Sequence, residues 1–83
     1  MKYYPIGTVV TLKGGDRPLM IYGRKQMQAT SGITWDYVAC LYPEGNISDE
    51  YTFFFGQEEI EKVLHTGYDS PYEEKMQKLL SAS

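Results

Sequence analysis

The chain has 83 residues, of which 42% are hydrophobic and 23% are charged, and its formal net charge is −3. This composition excludes a disordered chain and predicts one globular domain near the lower size limit for a single hydrophobic core. The acidic balance argues against a general nucleic-acid-binding protein, because binding to phosphates needs a basic surface, and the single cysteine excludes an internal disulfide.

Two strands are predicted in the first third of the chain. Residues 8–13 read as a strand, with Val10 and Leu12 on one face and Val9 and Thr11 on the other, and two glycines follow that permit a tight reversal. Leu19–Met27 is the natural return strand, with Pro18 tolerated only at its start because proline has no backbone donor. Gly23 inside this strand predicts a bulge or a sharp bend.

The third and fourth strands form what we call the aromatic hairpin, residues 34–55. Residues 34–42 are apolar on both faces, which predicts a central, buried strand. A Pro-Glu-Gly-Asn turn follows, and residues 51–55 form a second aromatic run that contains three consecutive phenylalanines. One strand cannot place all three rings on the same face, so part of this aromatic surface is expected to meet water, a helix or a partner.

The hydrophobic period then changes from two to 3.6. Within residues 56–67, Ile60, Val63 and Leu64 stand at i, i+3 and i+4, which predicts a first helix with His65 near its C-terminus.

A second, terminal helix is predicted at residues 70–81. Ser70 and Glu73 have the spacing of a capping box, and a proline stands at the first helical position. The apolar stripe that should dock this helix onto the domain consists of Tyr72, Met76, Leu79 and Leu80.

The predicted fold is therefore α+β, with one domain spanning residues 1–83. Its β-rich hairpins occupy residues 1–55, as a small twisted antiparallel sheet or a partly open SH3-like barrel of about four strands, and two C-terminal helices follow. Residues 1–5 have no apolar signal-peptide core and no segment is long and apolar enough to cross a bilayer, so we expect a cytoplasmic protein.

The chain carries little that resembles catalytic machinery. Cys40 lies in the middle of a predicted strand, where a buried structural thiol is expected, and His65 is expected to cap a helix. The acidic residues around the aromatic hairpin stand on a turn with no cleft behind them, and no phosphate-binding loop is present. We therefore predict a non-enzymatic protein that needs no cofactor and no metal.

Several segments resemble one small bacterial family. These are Tyr4-Pro5-Ile6-Gly7-Thr8-Val9-Val10, Leu12-Lys13-Gly14-Gly15, Leu19-Met20-Ile21-Tyr22-Gly23-Arg24, Asp36 through Ile47 with its Tyr-Pro-Glu-Gly-Asn turn, and Tyr51 with Phe53-Phe54. The family is known as domain of unknown function 4176, and the resemblance covers roughly residues 4–70. It implies a protein of Gram-positive bacteria, from gene clusters of the type VIIb secretion system that also contain LXG-domain toxins, where members look like cytoplasmic accessory proteins or chaperones. The resemblance carries no catalytic residue across.

The resemblance and the aromatic hairpin together predict a protein that binds a partner protein, most simply an LXG-type toxin before its export. The residues predicted to contact this partner are Tyr37, Tyr42, Glu44, Asn46, Tyr51 and Phe54. The aromatic rings would supply contact area, and the glutamate and asparagine would fix the orientation by hydrogen bonding. No membrane is expected as a partner, and a homo-oligomer is possible but not predicted.

Two alternatives stay open on the sequence alone. The first is an immunity protein that neutralises a cognate toxin with acidic residues. The second is a small barrel that binds nucleic acid through Lys13, Arg17, Arg24 and Lys25.

Overall fold

The computed structural model describes residues 1–82 and contains five β-strands, one α-helix and two 3-10 turns. The strands are β1 (Val9–Leu12), β2 (Leu19–Met27), β3 (Thr34–Leu41), β4 (Phe53–Phe55) and β5 (Ile60–His65), and the helix is α1 (Pro71–Ser81). Neighbouring strands are antiparallel, in the spatial order β4-β3-β2-β1-β5. The α+β class is thus confirmed as an antiparallel sheet with a helix, but there are five strands rather than four, and one α-helix rather than two within residues 1–82.

The bulge predicted in β2 is present. The register of β2 against β3 shifts between Ile21 and Gly23, and a Cβ added at Gly23 would lie 2.6 Å from Cγ1 of Val38. The side chain of Val38 therefore occupies space that only a glycine leaves open. Beyond the shift, Arg24 pairs with Tyr37, so the bulge turns this arginine toward the same face as a core tyrosine.

The prediction of a helix within residues 56–67 is wrong, because half of this segment, residues 60–65, forms strand β5. A single 3-10 turn, Gln57–Glu59, precedes β5, and β5 pairs along β1 in an antiparallel register with two irregularities. The free edge of β1 has backbone donors and acceptors that need partners, and β5 satisfies them. The apolar residues of so short a segment fit either period, so their spacing could not decide the structure. His65 consequently lies on a strand and caps no helix.

Side-chain hydrogen bonds hold the 3-10 turn in place. The backbone N–H of Gly56 donates to the Glu59 carboxylate at 2.7 Å, and the N–H of Gln57 donates to the Asp36 carboxylate at 2.8 Å. The second of these bonds ties the start of the turn to β3. The chain therefore leaves the turn in the direction of β1 rather than continuing as a helix.

The terminal helix is confirmed, but its predicted docking stripe is mostly wrong. The Ser70 hydroxyl accepts the N–H of Glu73 at 3.2 Å, as the capping box predicts. Of the four stripe residues, however, only Leu80 is buried, whereas Tyr72 is 83%, Leu79 67% and Met76 40% exposed. The helix therefore turns most of its apolar side away from the domain.

The side of α1 next to the exposed stripe residues, which carries Glu73, Gln77 and Leu80, makes the contact with the rest of the domain. Arg24 forms a two-pronged ion pair with Glu73, and both side chains are almost fully buried. The Gln77 amide accepts the backbone N–H of Tyr3 at 3.0 Å and donates to the carbonyl of the same residue. The Lys25 ammonium donates to the carbonyl of Leu80 at 2.8 Å, near the end of the helix.

One face of the sheet, which we call the inner face, carries the hydrophobic core. The core consists of Val10, Leu19, Ile21, Tyr37, Ala39 and Phe55 from the sheet, together with Tyr3 and Leu80. The last two residues show that the N-terminal segment and α1 lie over this face. The ion pair and hydrogen bonds of α1 thus add to the apolar contact made by Leu80. Together they explain why one buried leucine is enough to hold the helix against the sheet.

The ion pair predicts a specific pH dependence of stability. The Arg24 guanidinium holds the pKa of Glu73 below its ordinary value, so the stabilisation is fully present above the unfolded pKa of about 4.3 and is lost as the pH falls through the folded pKa. We expect the stability difference between the wild type and Glu73→Gln to be large at neutral pH and to shrink at more acidic pH. Urea denaturation of both proteins along a pH series measures this. A difference that stays constant throughout would contradict the assignment.

Candidate functional site

Tyr37, the first residue predicted to contact a partner, is instead a core residue. It is fully buried, and its ring packs beside those of Tyr3, Tyr4 and Phe55 at centroid distances of 5.6–6.2 Å. Its hydroxyl accepts the backbone N–H of Tyr4 at 2.9 Å and donates to the Gln57 side chain. Burial raises the pKa of Tyr37 to about 12. The prediction failed because β3 places this ring on the inner face, where the core forms.

The three consecutive phenylalanines divide between the two faces as expected. Phe55 is fully buried, and Phe53 packs against the core from the edge of the sheet. Phe54 pairs with Val38 and lies half-buried on the opposite face. The strand therefore supplies two rings to the core and presents one on the other side.

The side of the sheet away from the core is the strongest candidate for a binding surface. Its half-buried and exposed apolar side chains, which we call the open face, are Met20, Tyr22, Tyr42, Phe54 and Leu64. Cross-strand pairing places Met20 next to both Val9 and Cys40, two residues that are buried beneath this surface. Within residues 1–82, α1 packs on the inner face and all five strands belong to one sheet, so neither α1 nor a second sheet covers the open face.

The open face contains two depressions. Tyr42, Met20 and Leu64 line the first, together with the edge of Val9 and with His65. Phe54 and Tyr22 line the second, which is bordered by Met27 and by polar residues of the neighbouring loops. Two predicted contact residues, Tyr42 and Phe54, therefore lie on the same face of the sheet but in separate depressions.

The remaining predicted residues lie on the connection between β3 and β4. Glu44 forms an ion pair with Arg17 in which both side chains are substantially exposed. Asn46 is exposed next to Gly45, whose φ of +87° shows that the predicted turn is present. Tyr51 is 44% exposed in the first 3-10 turn, Asp49–Tyr51. Because Arg17 already engages Glu44, this carboxylate is less available to orient a partner than the sequence suggested.

Three residues of the open face, Met20, Tyr22 and Leu64, are not among the predicted contact residues. Met20 and Tyr22 alternate with buried Ile21 along β2, and this alternation could have identified them. Leu64 could not have been found in the same way, because its strand was taken for a helix.

The two side chains considered as possible catalytic groups, Cys40 and His65, lie on different strands. Cys40 is buried in β3, and its thiol lies 3.7 Å from the carbonyl of Met20. His65 is on β5, three strands away along the row of paired residues, which corresponds to about 14 Å. Within residues 1–82 there is also no cluster of three or more His, Cys, Asp or Glu side chains that could hold a metal ion.

The segments that the fold brings together also match a family model. The model described as Domain of unknown function (DUF4176) matches residues 3–76, which cover all five strands and the first half of α1. The chain belongs to this family. No curated protein and no solved structure matches the chain. The described part of the DUF4176 chain, residues 1–82, contains no helix with the length and apolar character needed to cross a membrane.

Proposed function

We propose that this DUF4176 protein is a non-enzymatic accessory protein that uses the open face to bind another protein. The observation that carries this proposal is the partly exposed apolar surface around Tyr42, Tyr22 and Phe54, on the side of the sheet away from α1. Tyrosine and phenylalanine rings of this kind provide large, rigid contact area and are enriched at protein interfaces. Water contacts the apolar open face in the free protein, and a bound partner would exclude that water.

The partner that we propose is an LXG-type toxin of the type VIIb secretion system, bound in the cytoplasm before export. The support for this identity is the family resemblance described above, which implies an accessory or chaperone role in such gene clusters. In this role the open face shields an apolar surface of the toxin until it is handed to the secretion machinery.

We also propose that the sheet curls into a partly open SH3-like barrel. Its two edge strands, β4 and β5, are consecutive in the chain and are joined only by Gly56 and the turn Gln57–Glu59. So short a connection between opposite edges supports strong curvature of the sheet.

The two predicted contact residues on the open face provide the test. We expect Tyr42→Ala and Phe54→Ala each to weaken toxin binding about 30-fold or more, because truncating a central aromatic at an interface typically costs about 2 kcal/mol or more. Isothermal titration calorimetry of the purified proteins measures the dissociation constants. Lys13→Glu, on an exposed turn outside the open face, is the matched control and should leave the affinity nearly unchanged.

The result also separates the alternatives. Binding to the toxic domain itself, with inhibition of its activity, would indicate an immunity protein rather than a chaperone. Loss of toxin binding only in Lys13→Glu would move the interface to the basic residues and refute the open face. The structure offers little support for nucleic-acid binding, because Arg24 is buried against Glu73 and Arg17 is paired with Glu44.

A further inference from the structure

Part of the exposed surface of α1 is apolar, whereas an ordinary surface helix turns its apolar residues toward the core. At about 100° per residue, Tyr72, Met76 and Leu79 fall within an arc of about 60°. We call these three residues the α1 stripe. The side chains that contact the sheet, Glu73 and Leu80, lie next to the stripe on one side of the helix. The stripe extends over two helical turns, so another helix can pack along it.

Charged residues mark the other border of the α1 stripe. Lys75 follows Tyr72 by three residues and precedes Leu79 by four, so it lies directly beside both on the helix surface. Lys78 extends the same border, and both lysines are exposed. Glu74 is on the side of the helix opposite the stripe. The border that a partner would meet is therefore basic, although the chain as a whole is acidic.

This charge distribution disfavours a second copy of the chain as the occupant. A twofold-symmetric pair of α1 helices packed through their stripes would be antiparallel, with equivalent flanking positions facing each other. Lys75 would then lie close to its own symmetry copy, and like charges in this position repel. A helix with acidic residues beside its apolar stripe has the opposite effect, because each carboxylate meets a lysine.

We propose that the α1 stripe is a second binding surface, which receives an amphipathic helix of another protein whose apolar side is flanked by acidic residues. The polar docking of α1 through Arg24, Glu73 and Gln77 holds the helix in place and leaves its apolar side available. This surface is separate from the open face, and its test uses no toxin. The result of the test is therefore independent of whether the proposed toxin binds the open face.

Two synthetic helical peptides test the proposal. Both carry leucines at the a and d positions of about three heptads, and they differ only in having Glu or Lys at every e and g position. Like charges at these positions oppose self-association of either peptide. Each is titrated into the isotopically labelled full chain and followed by the amide shifts in nuclear magnetic resonance spectra. We expect the glutamate peptide to shift the amides of α1 and to bind at least about 10-fold more tightly than the lysine peptide.

Variants of exposed residues connect this binding to the α1 stripe. Tyr72→Ala and Leu79→Ala should abolish the shifts, and Lys75→Glu with Lys78→Glu should reverse the preference between the peptides. Glu74→Lys is the control on the opposite side of the helix and should leave the affinity within about twofold. Circular dichroism melting verifies that each variant is folded.

Three outcomes of the peptide titrations would overturn the proposal. They are equal affinity for both peptides, absence of binding by the glutamate peptide, and shifts confined to the open face. A dimer of the free protein that Tyr72→Ala dissociates in analytical ultracentrifugation would also refute it, because the occupant would then be a second copy of the chain.

Discussion

We expect the Arg24→Met variant to lose about 3–5 kcal/mol of its free energy of unfolding, because removing one partner of a buried ion pair leaves the other charge without compensation. Glu73 would then be buried against the sheet with only Gln77 as a side-chain donor. Since the total stability of a small domain is on the order of 5–15 kcal/mol, the variant loses a large part of its resistance to urea. The midpoint of urea-induced unfolding measures the loss.

A double variant separates the buried charge from the packing. In Arg24→Met combined with Glu73→Leu, no charge is buried, and an apolar pair of similar volume should recover most of the lost stability. Gln77 keeps its two hydrogen bonds to Tyr3 in this background. If the double variant is as unstable as the single one, the geometry of the ion pair itself, and not the unpaired charge, is what holds α1.

The Tyr37→Ala variant is expected to lose about 3–5 kcal/mol, as is typical when a fully buried aromatic side chain is truncated. The ring lies among Tyr3, Tyr4 and Phe55, so its removal opens a cavity at the centre of the core. The N–H of Tyr4 also loses its acceptor. Urea denaturation monitored by circular dichroism measures the effect.

Tyr42→Ala is the matched comparison, since it removes the same side chain from the same strand region on the open face. It should change stability by no more than about 0.5 kcal/mol, because surface substitutions outside caps and networks have small effects. Together the two variants distinguish a tyrosine that stabilises the fold from one that is available to a partner. Equal losses for both would show that Tyr42 is also needed for the fold and would weaken its assignment to an interface.

Tyr37 is buried and Tyr42 is exposed, and the residue pattern of the strand does not predict this difference. Tyr37 and Tyr42 are both aromatic residues of the aromatic hairpin, and both faces of β3 are apolar in sequence. Alternation assigns residues to two faces but does not tell which face α1 and the N-terminal segment will cover. That choice depends on residues more than 30 positions away, such as Gln77 and Leu80, whose contacts exist only in the folded chain.

The strands β1 to β3, the bulge at Gly23, the cap of α1 and the family were all predictable from the sequence, as was β4 except that it begins at Phe53 and not at Tyr51. These features follow from local causes, namely strand alternation, turn residues with a required φ, and a capping hydroxyl that accepts the N–H three positions later. The strand at residues 60–65 follows from a long-range contact, because its backbone pairs with the otherwise unpaired edge of β1, and a short helical pattern does not offset that gain. The docking of α1 through Glu73, Gln77 and Leu80 likewise depends on residues distant in the chain. Burying Arg24 without a carboxylate would cost more free energy than burying three further apolar side chains would gain. Glu73 supplies that carboxylate.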